Sequence, residues 1–112
     1  MDTSKSAHKL LEGIRKRPAM YFGNTELRFT SLLGFIGGYQ VGYAAAQNDS
    51  MPQHLIPDDF HRFVTEYFGQ TFPAGGKGWS TFVSEQTKSE QEAFEMFFRL
   101  LDEYEKRHTN AA

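Results

Sequence analysis

Four histidines, at positions 8, 54, 61 and 108, are the side chains best suited to acid–base work or metal binding near neutral pH. No two of them stand three or four residues apart, so no helix would present a pair to one metal ion. Asp58-Asp59-x-His61 sets two carboxylates and an imidazole close together. Aspartates at a helix start, however, are expected simply as caps. The absence of cysteine excludes a thiolate nucleophile, a disulfide framework and a cysteine–metal site. No G-x-S-x-G elbow occurs to expose a serine nucleophile. Gly75-Gly76-Lys77-Gly78 has the look of a phosphate cradle. A P-loop, though, keeps four residues between its first glycine and the Gly-Lys pair and places Ser or Thr after the lysine. Gly78 stands there instead, and the segment reads as a connector. The expectation is a protein that is not an enzyme and carries no metal and no cofactor.

Charge is the remaining chemistry. The net charge is −2, but the distribution is uneven: six basic residues against three acidic from Met1 to Arg28, and seven acidic against two basic from Glu85 to Glu105. Non-specific nucleic-acid binding needs a basic surface that displaces counterions, so nucleic acid is an unfavoured partner. An acidic surface can meet a basic protein, and Glu92, Glu95, Asp102 and Glu103 are the candidate contacts. A second candidate is the basic corner Arg15-Lys16-Arg17, with Arg15 and Arg17 open to an acidic partner or to a nucleotide. Each charge run also has a plain reading as a solvated helix face.

The elements that would position these groups read as five helical segments. Thr3 or Ser4 can cap a first helix to about Lys16, with Leu10, Leu11 and Ile14 on one side. Pro18 should end it, leaving Met20-Tyr21-Phe22-Gly23 as an extended stretch tucked under the core. A second helix begins between Glu26 and Ser31 and runs to about Gln47, with Leu32, Phe35, Ile36, Tyr39 and Tyr43 on one face. Gly34, Gly38 and Gly42 form another stripe on it. Each helical glycine costs about 1 kcal/mol against alanine, so close approach of another backbone is expected there. One of the chain's own helices would supply it, or a second copy in a homodimer. Asn48 to Pro57 reads as a loop. Asp58 or Asp59 can cap a third helix that ends at Gly69. A short fourth helix carries Trp79, Phe82 and Val83 inward. Ser89-Glu90-Gln91-Glu92 has the form of a capping box and opens a last helix with Ala93, Phe94, Phe97, Phe98, Leu100, Leu101 and Tyr104 on its apolar side.

Eleven Phe, five Tyr and one Trp in 112 residues make the core aromatic, since each such side chain buries about 150–250 Å². The fold class is therefore all-α: one helical domain over 1–112, a compact bundle of about five helices, with a frayed tail at about 109–112. The start lacks the apolar run of a signal peptide, and Leu32 to Ala46 is too short and interrupted to span a bilayer. A cytoplasmic location without membrane attachment is expected.

Ile14-Arg15-Lys16-Arg17-Pro18-Ala19-Met20-Tyr21-Phe22-Gly23 resembles the R-x-R-P-x-M-Y-I-G segment near the start of the ATPase domain of type II topoisomerase B subunits. The E-x-x-x-N-x-x-D helix and D-x-G-x-G loop of that ATP site occur nowhere here, so the likeness implies no ATP binding. A closer likeness covers nearly the whole chain. It is similar to a family of small bacterial proteins with a helix, I-R-K-R-P-x-M-Y-x-G, a long helix, G-W-x-x-x-[IV], and an A-F-x-x-F-F-x-L-L-x-E-[FY] helix. Ile14 to Gly23, Gly78 to Val83 and Ala93 to Tyr104 supply those pieces, with Ala19 where the family usually has glycine. Such proteins resemble immunity proteins of polymorphic or contact-dependent toxin systems. The resemblance implies a protein-binding module that neutralises a cognate bacterial toxin, which Glu92, Glu95, Asp102 and Glu103 would face if that toxin were basic.

Overall fold

Six helices and no strand account for the regular structure of residues 3–46 and 55–110, which the computed structural model describes. The chain is all-α. The five expected helices are present, with a sixth, short one between the first two. They fall into two compact units, residues 1–57 and 58–112. The side chains of Thr3 and Ser4, residues 47–54 with His54 and Pro52, and residues 111–112 lie outside the described part.

In the first unit, α1 (Thr3–Lys16) buries Leu11 and Ile14 and ends in Arg15 and Lys16, which suit the negative end of its dipole. Arg17 leaves the helical region (φ −137°, ψ 62°), as a residue before proline does. Pro18 then stands at the first position of a new helix, α2 (Pro18–Phe22). The expected extended, buried stretch is therefore wrong. Proline has no N–H to lose at a helix start and its φ is already helical, so the residue that stops α1 begins α2. Nor does the segment tuck under a core: Met20 is 72% and Tyr21 41% exposed. Tyr21 and Phe22 meet Phe35 edge to face, at 5.9 and 6.1 Å, and the Tyr21 hydroxyl lies over Gly13 of α1. Gly23 (φ +73°) closes α2, donating its N–H to Ala19 O at 2.9 Å.

The long helix α3 (Arg28–Ala46) follows. Phe29, Leu32 and Ile36 are buried, and Phe35, Tyr39 and Tyr43 are half-buried, on the face that the spacing required. The glycine stripe behaves otherwise. Gly34, Gly38 and Gly42 are exposed, and a Cβ built on any of them would meet nothing within 4 Å. Among the described residues nothing supplies the expected close approach of another helix. From Phe29 to Ala46 there is no charged residue, so α3 is uncharged on its outward face too, with Val41 68% exposed.

The second unit packs α4 (Phe60–Tyr67), α5 (Trp79–Gln86) and α6 (Glu90–Asn110) against one another. α4 ends in a Schellman motif: Gly69 (φ +79°) donates to Glu66 O and Gln70 donates to Thr65 O, both at 3.0 Å. Thr65 is fully buried and gives its hydroxyl hydrogen to His61 O at 2.7 Å. α6 opens on the expected Ser89 and Glu92, in a variant of the capping box whose carboxylate reaches the residue before the N-cap. The Ser89 hydroxyl accepts from Glu92 N–H (3.1 Å), and the Glu92 carboxylate accepts from Lys88 N–H (2.9 Å). It remains helical to Asn110. The core is aromatic. Phe60, fully buried, meets Phe63, Trp79, Phe97 and Tyr104 with ring centroids 5.7–6.1 Å apart. Such offset and edge-to-face pairs each add about 0.5–1.5 kcal/mol beyond area burial.

Candidate functional site

A helix buried along one stripe must show the opposite stripe to water, and on α6 that stripe is where the charges lie. Ala93, Phe94, Phe97, Phe98, Leu100 and Leu101 are buried. At 100° per residue Glu92, Glu95, Arg99, Asp102, Glu103 and Lys106 fall within about one-third of the circumference on the far side. All are exposed except half-buried Glu103. The four expected acidic residues thus share one face, but Arg99 and Lys106 interrupt them, so the face is of mixed charge. Its N-terminal end borders a shallow depression of about 240 Å³ between the end of α5 and α6, lined by Gln86, Thr87, Glu92, Glu95, Met96 and Arg99. Glu92 also serves the helix start through its bond to Lys88 N–H. Thr87 turns its hydroxyl hydrogen to Val83 O at 2.8 Å.

The basic corner belongs to the first unit. Arg15 and Arg17 are exposed, at the last turn of α1 and just before α2. Arg15 Nη1 lies 3.6 Å from Glu12 Oε1, one helical turn back, a screened surface pair of small energy.

Asp58-Asp59-x-His61 does not converge. Asp59 stands at the N-cap of α4, yet its side chain makes no cap bond. Its Oδ1 accepts from the Tyr104 hydroxyl at 2.5 Å, and its Oδ2 lies 3.5 Å from His108 Nε2. His108 stacks on Tyr104 at 3.8 Å, and its Nδ1 faces Tyr104 O at 2.8 Å. The Tyr104 hydroxyl, above all, holds the Asp59 carboxyl below its ordinary value, outweighing the cost of partial desolvation, with His108 adding in the same sense. Burial in turn raises the Tyr104 phenol, helped by the hydrogen bond and charge of Asp59 and the charge of Asp58. Beside them Arg107 covers the rings of Phe63 and Tyr67 at 5.2 and 5.9 Å.

His61 goes elsewhere: its Nδ1 accepts from Trp79 N–H at 3.0 Å, at the start of α5. The sequence carried a signal for this that motif reading passes over. The N-cap of α5 is Gly78, which has no side chain to offer, and the acceptor comes from His61 instead. Among the described residues no group of three His, Cys, Asp or Glu side chains is placed to hold a metal ion. The Gly75-Gly76-Lys77-Gly78 segment turns through two positive-φ glycines, and Lys77 pairs with Glu85 at 3.0 Å. No helix among the described residues is long and apolar enough to cross a membrane. Comparison with models of known protein families, with curated proteins and with solved structures gave no match.

Proposed function

We propose that this chain is a cytoplasmic protein-binding module that neutralises a cognate bacterial toxin by direct binding, as immunity proteins do, and that it works without catalysis. The observation that carries the reading is the outward stripe of α6. Glu92, Glu95, Asp102 and Glu103 stand on one exposed face of a helix whose other face is fixed in an aromatic core. A rigid helix presents charges with little ordering cost on association, and complementary charge speeds encounter and fixes register. A basic partner is favoured by four carboxylates against two cations. Arg99 and Lys106 would pair with acidic groups of the same partner and set the register.

The test is purification of the tagged protein with its partner from the native cells, followed by titration of variants against that partner. Glu95→Lys, Asp102→Lys and Glu103→Lys combined should weaken binding by more than about tenfold, chiefly through slower association at low salt. Glu92→Gln keeps a carbonyl oxygen for the cap while removing the charge. Unchanged affinity in both variants would move the contact off this face, and Arg15→Glu with Arg17→Glu would then examine the basic corner.

A second reading rests on α3. Its exposed, uncharged face with Gly34, Gly38 and Gly42 open supports self-association of two copies through close helix packing. Light scattering decides it: a strict monomer at high concentration removes this reading and leaves the first untouched.

A further inference from the structure

α5 has little of its own to hold its start. Gly78 occupies the N-cap and no acidic residue stands in the first turn, so neither a side-chain cap nor a charge offsets the positive end of the helix dipole. The His61 imidazole from α4 fills the gap, with Nδ1 3.0 Å from Trp79 N–H. A backbone N–H can only donate, so this nitrogen must carry a bare lone pair. Gly78 is part of the same arrangement. A Cβ there would sit 3.0 Å from the His61 Cε1 and 3.1 Å from its Nδ1, so any larger residue would press the ring aside by a few tenths of an ångström.

We propose that His61 is a pH-sensitive cap of α5, holding the helix start while Nδ1 is unprotonated and releasing it when the ring becomes an imidazolium. Protonation turns the acceptor into a donor facing a donor and places a positive charge at a helix N-terminus, and both effects act in the same direction. The ionisable groups of the elements around it are Asp58 and Arg62 beside α4's start, the Lys77–Glu85 pair at 3.0 Å, and Asp59 turned towards Tyr104 and His108 of α6. The released residue is not peripheral. Trp79 is 6% exposed, with its ring 4.9 Å from Phe97 and 5.7 Å from Phe60, so loosening its backbone loosens the centre of the second unit.

Amide hydrogen exchange tests this, read as protection factors that remove the intrinsic effect of pH. Between about pH 7.5 and about pH 5, the range that spans imidazole titration, protection at Trp79 and Phe82 should fall about fivefold, the scale of a lost cap. His61→Asn keeps a side-chain acceptor that does not titrate and should give a flat profile. Unchanged protection in the wild type overturns the proposal, as does an equal fall in His61→Asn or an equal fall along all of α6. Nitrogen-15 spectra of the ring give a check independent of any variant: a neutral His61 protonated on Nδ1 overturns it as well.

Discussion

A carboxylate at a helix N-cap ordinarily accepts from that helix's own N–H groups, and Asp59 does not. Its stronger offer comes from Tyr104, 45 residues away, whose hydroxyl would otherwise be half-buried without an anionic acceptor. The position of Asp59 was legible in the sequence, while its partner was not, because nothing local records which side chain a fold brings over a helix start. The same holds for His61 and Trp79. The pH consequence is specific. The folded state holds Asp59 below its ordinary value near 3.8, so its contribution is present above that value and lost as pH falls through the lower folded one. Urea midpoints of the wild type and Asp59→Asn should therefore differ from neutral pH down to about pH 4 and converge below it. A gap that persists undiminished at the most acid pH would assign the effect to packing rather than charge. Tyr104 has the opposite sign: its phenol is raised, so that stability is full below the unfolded value and declines as pH climbs past 10. Tyr104→Phe should flatten that alkaline limb.

At the scale of elements, periodicity and punctuation carried most of the information. The buried faces of α5 and α6, the capping box and the closing Gly69 all stand where spacing placed them, because those signals are local and each has one physical meaning. α2 was missed because proline has two meanings, stop for the preceding helix and start for the next. The glycines of α3 mislead for a related reason: their cost is local, but its compensation depends on a neighbour that sequence does not name. With nothing within 4 Å of these positions, Gly34→Ala, Gly38→Ala and Gly42→Ala should each stabilise the protein at low concentration by about 0.5–1 kcal/mol. Thermal unfolding would register that as a rise of a few degrees each. A fall instead would mean that a backbone occupies the stripe. Ser89→Ala should cost about 1 kcal/mol through the lost cap of α6, again read from thermal unfolding.

Across the whole molecule, aromatic content foretold an aromatic core, and that core belongs to the unit spanning 58–112. Phe60 is its centre, with four ring neighbours from α4, α5 and α6. Phe60→Ala should cost about 3–5 kcal/mol, which a denaturation midpoint would show, whereas Phe22→Ala on half-buried α2 should cost far less. The candidate partner face was legible as a charge run. Arg99 already stands inside that run, and Lys106, just beyond it, joins the same helix face. The uncharged outward side of α3 carries a consequence for the protein's behaviour in different salts. Sulfate is excluded from exposed surface and strengthens apolar contact, whereas sodium chloride acts mainly by screening charge. The two salts thus address different faces of one chain: ammonium sulfate should drive self-association through α3, and sodium chloride should weaken partner binding at α6. Sedimentation in each salt, with Gly38→Arg placing a charge on the α3 face, would separate the two.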